Sequence, residues 1–246
     1  MSGVETKQNS NRQPKKKSLG ARLETVARLV HENGPFDCLC DIGSDHAFIP
    51  IRALSSGDAK TAVASDVREG PLERGRANAI SAGVFPDFIL SDGFSNLGGY
   101  RFDAVCICGL GGETIASILD GGKEFVRRED CLLFLQPMTA HDDLRTYLWE
   151  NGFRICGETF VLEGAKPYVI LTAGYTHEPE PFTYTDRFLG QVRPETDAFY
   201  AYCEKVKNQT EKRMRGKFRQ PGDEDLLQTA AACALKNQKG APADKP

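Results

Sequence analysis

The chain has 246 residues, 40% of them hydrophobic, and its 31 Lys and Arg against 34 Asp and Glu leave a net charge of −3. That is enough chain for one α/β domain with an appendage, and it excludes a globally basic protein. No stretch approaches the roughly 20 apolar residues of a membrane-crossing helix, so no membrane partner is expected. The N-terminal "MSGVETKQNSNRQPKKKS" lacks the apolar core of a signal peptide, and residues 1–17 read as a disordered basic tail. Eight cysteines without an export signal point to reduced thiols and a cytoplasmic protein.

In chain order, Leu19, Leu23, Val26 and Val30 recur at helical spacing, and Gly34-Pro35 stops that helix. An alternating series follows. "FDCLC" reads as a strand, "AFIPIRALSS" as a helix, "TAVAS" as a strand and "PLERGRANAISAG" as a helix with proline in its first turn. "DFILS" and "FDAVCIC" are strands, "ETIASILDGG" a helix, "CLLFL" a strand and "AHDDLRTYLWENG" a helix. "FRICGETFVLEGAKPYVILTAGY" holds two strands about Glu163-Gly164, close enough to pair antiparallel. Alternating strands and helices predict a mainly parallel sheet with helices on both faces over residues 18–175. "THEPEPFTYT" then reads as a proline-rich linker, and residues 194–219 and 224–238 as an antiparallel helical hairpin parted by "QPGD".

In a doubly wound sheet, ligands bind beyond the carboxyl ends of the parallel strands. Here those ends read Asp41-Ile42-Gly43-Ser44-Asp45-His46, Ser65-Asp66-Val67, Ser91-Asp92-Gly93, Cys108-Gly109-Leu110-Gly111-Gly112 and Gln136-Pro137-Met138. Gly43 permits a tight turn and close backbone approach. Asp66 is placed to accept from ribose hydroxyls, and Asp92 from an exocyclic amine. Helix capping and turn formation are the competing role for each aspartate. The glycine run 109–112 exposes backbone with few side chains in the way. A pyrophosphate needs further glycines after Gly43, where Asp45 would repel it, whereas Asp45 suits the ammonium of a methionine moiety. S-adenosylmethionine is therefore the expected cofactor rather than NAD.

"LGARLETVARLV", "DIGSDHAFIP", "GLGGETIASIL" and "LQP" together resemble the bacterial tRNA (adenine-22-N1)-methyltransferase family, over residues 18 to about 175. The resemblance implies a Rossmann-like class I methyltransferase domain with a seven-stranded sheet and a C-terminal coiled-coil hairpin. It also implies S-adenosylmethionine as donor and tRNA as substrate, methylated at N1 of an adenine in the D-arm. Mapped onto this chain, the family pattern puts Asp41, Gly43, Ser44, Asp45, Asp66, Val67, Asp92, Gly93 and Gly109 around the cofactor. Gly109, Gly111 and Gly112 fall by the target base, and Arg22, Gln136 and Tyr168 toward the substrate, with core packing the alternative for Tyr168. Met138 and Val169 depart from the family's pattern at the base pocket. Direct in-line displacement needs no metal, because adenine N1 carries its own lone pair; Asp45 or His46 is placed to take the released proton.

Residues 205–219 hold seven basic side chains against Glu211, a stripe that suits a phosphate backbone. Lys212, Arg213, Arg215 and Lys217 are expected to face tRNA, with Phe199, Val206, Met214 and Phe218 forming the seam of the hairpin over 176–246. A solvated charged face is the alternative. His31, His141 and His177 read as surface residues and Trp149 as core. Cys38/Cys40 and Cys106/Cys108 alternate on two strands, which suits small-residue core packing better than a metal site. A monomer is expected.

Overall fold

The computed structural model describes residues 19–239. The predicted tail over 1–17 lies outside the described residues.

The expected alternation is present. The chain runs α1 (Ala21–Asn33), β1 (Phe36–Ile42), α2 (Phe48–Ser56), β2 (Ala59–Asp66), α3 (Glu69–Ala82), β3 (Asp87–Leu90), β4 (Ala104–Leu110) and α4 (Gly112–Gly121). It continues with α5 (Lys123–Val126), β5 (Leu132–Pro137), α6 (His141–Glu150), β6 (Phe153–Glu163), β7 (Lys166–Tyr175), α7 (Tyr184–Leu189), α8 (Asp197–Arg215) and α9 (Asp223–Lys239). The sheet order is β3-β2-β1-β4-β5-β7-β6, parallel from β3 to β5 and closed by antiparallel β7 and β6. The reversal at β1/β4 is the switch point at which such sheets open a crevice.

The parallel strands are buried on both faces, which explains their unbroken apolar runs. Val105, Ile107, Leu133 and Leu135 pack with α4, α6 and α8 on one face. Ala104, Cys106 and Phe134 pack with α1 and α2 on the other. The two cysteine pairs therefore diverge: Cys38 and Cys40 join the first core layer, Cys106 and Cys108 the second.

The C-terminal helices lie against the sheet. Phe199 packs its ring on Phe160 of β6 at 4.9 Å. Arg145 of α6 donates to Glu158 of β6 at 2.7 Å, both side chains fully buried. The same guanidinium donates to the carbonyls of Arg187 and Phe188 and to the Tyr202 hydroxyl, joining α6, α7 and α8. One buried ion pair thus fastens the helical segment to the end of the sheet.

Three expectations are corrected here. The stretch read as linker already contains the start of α7, capped by a reciprocal Thr183–Asp186 box that the prolines before it mask. Phe218 is 78% exposed, because α8 ends at Arg215 and the chain turns before Phe218 can reach α9; Leu226 and Ala230 line the buried side of α9 instead. His141 is enclosed between α6 and α8 rather than exposed, its ring edge-on to Tyr202 at 5.6 Å, and burial presses its pKa down to about 3.

Candidate functional site

A cleft of about 850 Å3 opens at the carboxyl ends of β1 to β4. After β1, Gly43 turns the chain at φ +77, which lets Gly43 and Ser44 both donate their N–H to the Ser65 carbonyl at 2.9 Å. Ser44 in turn donates its hydroxyl to Asp41 at 2.5 Å. Burial, opposed by the Ser44 hydrogen bond and aided by the Asp66 charge, raises the Asp41 carboxyl to about 7.

At the end of β2, Asp66 is 7% exposed and accepts from the Arg68 N–H at 2.9 Å. That bond is a turn contact, and the carboxylate still borders the cleft beside exposed Val67. Asp92 and Gly93 line the adjoining wall, with Gly93 at φ +53. No side chain caps α2, α3 or α4, so helix capping is not the role of these aspartates.

Asp45 is less free than its motif suggests. It is ion-paired to Arg74 of α3 and lies 3.5 Å from His46 Nε2, and the Arg74 hydrogen bond holds its carboxyl below the usual range. His46 stacks on Phe48 at 5.2 Å and caps no helix.

The glycine run divides between two roles. Gly109, at φ +80 in a bulge against β5, lines the cleft. Its N–H donates to the Gln136 side-chain carbonyl at 3.1 Å. Gly111 and Gly112 do not line the cleft. A Cβ on Gly112 would sit 2.0 Å from the Ala140 carbonyl oxygen, and the Gly112 N–H is used by the Thr139 carbonyl at 2.9 Å. Gly112 is therefore small so that the start of α4 can pack on the loop after β5, which corrects its reading as open wall for a base.

Gln136 is fully buried and does not line the cleft; it also accepts from Arg22, which does. The Arg22 guanidinium stands 5.7 Å over the Tyr168 ring, and its Nε is buried without a partner. Tyr168 thus backs Arg22 from outside the cleft. Glu113, Thr114 and Ser117 of α4 complete the lining. Nothing in the sequence marks them, because they follow the glycines on a helix, where only packing shows which face turns inward.

The hairpin cations are largely engaged. Arg213 forms an ion pair with fully buried Asp223 of α9, Arg215 pairs with Glu211 and Arg219 with Glu224. Arg213 therefore clamps the hairpin instead of facing outward, whereas Lys212 and Lys217 are exposed.

Among the described residues no cluster of three or more metal-ligating side chains occurs, and no helix is long and apolar enough to cross a membrane. Over 157 residues the chain is 31% identical to the tRNA (adenine(22)-N(1))-methyltransferase of Bacillus subtilis (strain 168). That match covers 63% of this chain and 64% of the relative, a little under two thirds of the latter's length. A Streptococcus pneumoniae protein solved in complex with S-adenosyl-L-methionine superposes with a TM-score of 0.67 at 26% identity, covering 89% of this chain and 97% of that one. The B. subtilis M1A22 tRNA methyltransferase structure matches in fold with a TM-score of 0.70 at 22% identity, covering 91% and 99%. The resemblance carried by the motifs is thereby borne out. The family profile described as "Methyltransferase domain" matches residues 19–171, the span of α1, the strand ends and the cleft they enclose, and the chain belongs to that family.

Proposed function

We propose that this protein methylates N1 of adenine 22 in tRNA, with S-adenosylmethionine as donor. The observation that carries the reading is the charge and burial of the cleft. Asp41, Asp45, Asp66, Asp92 and Glu113 face it against Arg22 and Arg68. An excess of carboxylates suits a sulfonium ligand bearing an ammonium group and repels a pyrophosphate. The residues fit that ligand. Asp66 would accept from its ribose, Asp92 and Gly93 would border its adenine, and Gly43 and Ser44 would flank its amino-acid portion. Arg74 occupies Asp45, so Asp41, fixed by Ser44, is the better partner for the ammonium.

When bound, S-adenosylmethionine supplies an electrophilic methyl group. The chain's own residues orient the acceptor and exclude water. Arg22, anchored by Gln136 and backed by Tyr168, presents donors beside Gly109 and so holds the base against the cleft. N1 lies on the pairing edge of adenine, so the nucleotide leaves the helix before it reacts. Transfer to neutral N1 moves the positive charge from the sulfonium to the base, so the methyl step itself releases no proton. Asp45 or His46, both lining the cleft, would accept the N6 proton when the product is neutralised. One chain carries the whole cleft, so the reading needs no second subunit and tRNA as the one macromolecular partner.

The test is transfer of labelled methyl from S-adenosylmethionine to tRNA, with the product mapped by reverse transcription, which N1-methyladenine blocks. A stop at position 22 that disappears when adenine 22 is replaced by guanine is expected. Label at another position, or none, overturns the assignment.

A further inference from the structure

A second cavity, of about 320 Å3, lies between the first turn of α6 and α8, and shares no residue with the cleft. Its lining includes groups left without partners. Thr210 is 1% exposed and its hydroxyl has no hydrogen-bond partner, and the same holds for the buried Nε2 of His141. Lys205 reaches it from α8, half-buried, its ammonium 6.0 Å from the Tyr202 ring and in no ion pair among the described residues. The N-terminus of α6 adds backbone donors, since Ala140 at its cap has φ +50 and no side chain caps the helix.

Unpartnered buried polar groups are costly, so a site that keeps several together is built for an occupant. Two of the groups are donors, an ammonium and a hydroxyl, and the imidazole, held neutral by burial, adds a third in its Nε2–H tautomer. Asp142 is the single carboxylate among the lining residues, and it sits where it complements the helix dipole. Arg213 at the far side is already neutralised by Asp223. A helix N-terminus with convergent donors selects an oxyanion.

The cavity is also coupled to the first site. Thr139 borders it, receives the Gly112 N–H at 2.9 Å and would lie 3.3 Å from a Cβ on Gly111, so one loop separates it from the wall at Gly109. We infer that this cavity binds a phosphate group of the RNA backbone and so seats the tRNA relative to the cleft. The inference rests on the proposed function and adds a binding site to it. The chemistry is that of a phosphate oxyanion, which free phosphate shares.

The test uses the full chain with Lys205→Met, which keeps the stem and removes the charge, and Thr210→Val, which removes the hydroxyl at constant shape. Affinity for tRNA is measured across salt concentrations, with S-adenosylmethionine affinity and thermal stability alongside. Lys205→Met is expected to weaken tRNA binding roughly tenfold and to flatten the salt slope by about 1. Thr210→Val is expected to weaken it with no loss of slope and no loss of stability, because the hydroxyl bonds nothing in the free protein. Both variants keep cofactor affinity. Variants that bind tRNA like an active wild type overturn the cavity's role and leave the proposed function standing. A wild type that neither binds nor methylates tRNA overturns both. Inorganic phosphate titrated against the His141 ring resonances separates the two sources. Saturation at micromolar phosphate, with tRNA binding unchanged in the variants, assigns the cavity to the free ion and overturns the RNA reading.

Discussion

The Gly109 N–H and the Gln136 side chain are joined by a 3.1 Å hydrogen bond across β4 and β5, and the same amide oxygen accepts from Arg22. A fully buried glutamine on one strand thus sets both the bulge in its neighbour and the direction of an arginine from α1. Gln136→Leu should cost about 1–3 kcal/mol, the penalty of stranding a buried N–H, and should depress methyl transfer more than cofactor affinity. Gln136→Glu, which keeps the acceptor, should restore transfer in part. Denaturant melts and single-turnover assays on the two variants check this.

Asp66→Ala should weaken S-adenosylmethionine binding by roughly 1–3 kcal/mol through loss of a charged acceptor. Calorimetry on the folded variant is the measurement, and unchanged affinity removes Asp66 from the ribose.

Asp41 predicts a pH dependence. Its carboxyl is raised from 3.8 to about 7 in the fold, chiefly by burial, so the native state holds a proton that the unfolded chain has released. Its contribution to stability is complete below pH 4 and is lost as pH rises toward 7, by at most about 4 kcal/mol. A cationic ligand favours the ionised form, so cofactor affinity should rise across the same window with release of a proton. Asp41→Asn should flatten both profiles, read by melts and calorimetry over that range.

Breaking the Arg145–Glu158 pair from one side, with Arg145→Met, should cost about 3–5 kcal/mol by leaving a buried carboxylate uncompensated. Replacing both partners with apolar residues should cost much less. Urea unfolding of single and double variants separates the two outcomes.

The hairpin's exposed cations, Arg215 among them although it is paired with Glu211, form a smaller set than its composition suggests. Lys212→Ala/Arg215→Ala/Lys217→Ala should flatten the salt slope of tRNA binding by up to about 2–3 without affecting cofactor affinity. Arg213→Ala should instead lower stability, because buried Asp223 loses its partner. Identical slopes for wild type and triple variant would leave that face solvated only.

The order of strands and helices was legible because periodicity is local. Apolar runs at 36–40, 61–65 and 102–108 report burial on both faces, and glycines and aspartates at their ends mark the edge that the sheet topology turns into a cleft. Asp66 and Asp92 come from that reading; Asp41 and Gly109 lie on the same edge and are placed at the cofactor by the family resemblance. Tertiary structure decided the rest, because each remaining fact depends on a neighbour distant in the chain. Gly112 is small on account of Ala140, Asp45 is held by Arg74, and Arg213 is spent on Asp223. Thr210 looks like any helix threonine in the sequence, and only the approach of α6 encloses its hydroxyl. Local spacing encodes which residues share a face; what lies opposite that face, and whether a charge or a hydroxyl finds a partner there, is set by packing between segments the sequence keeps far apart.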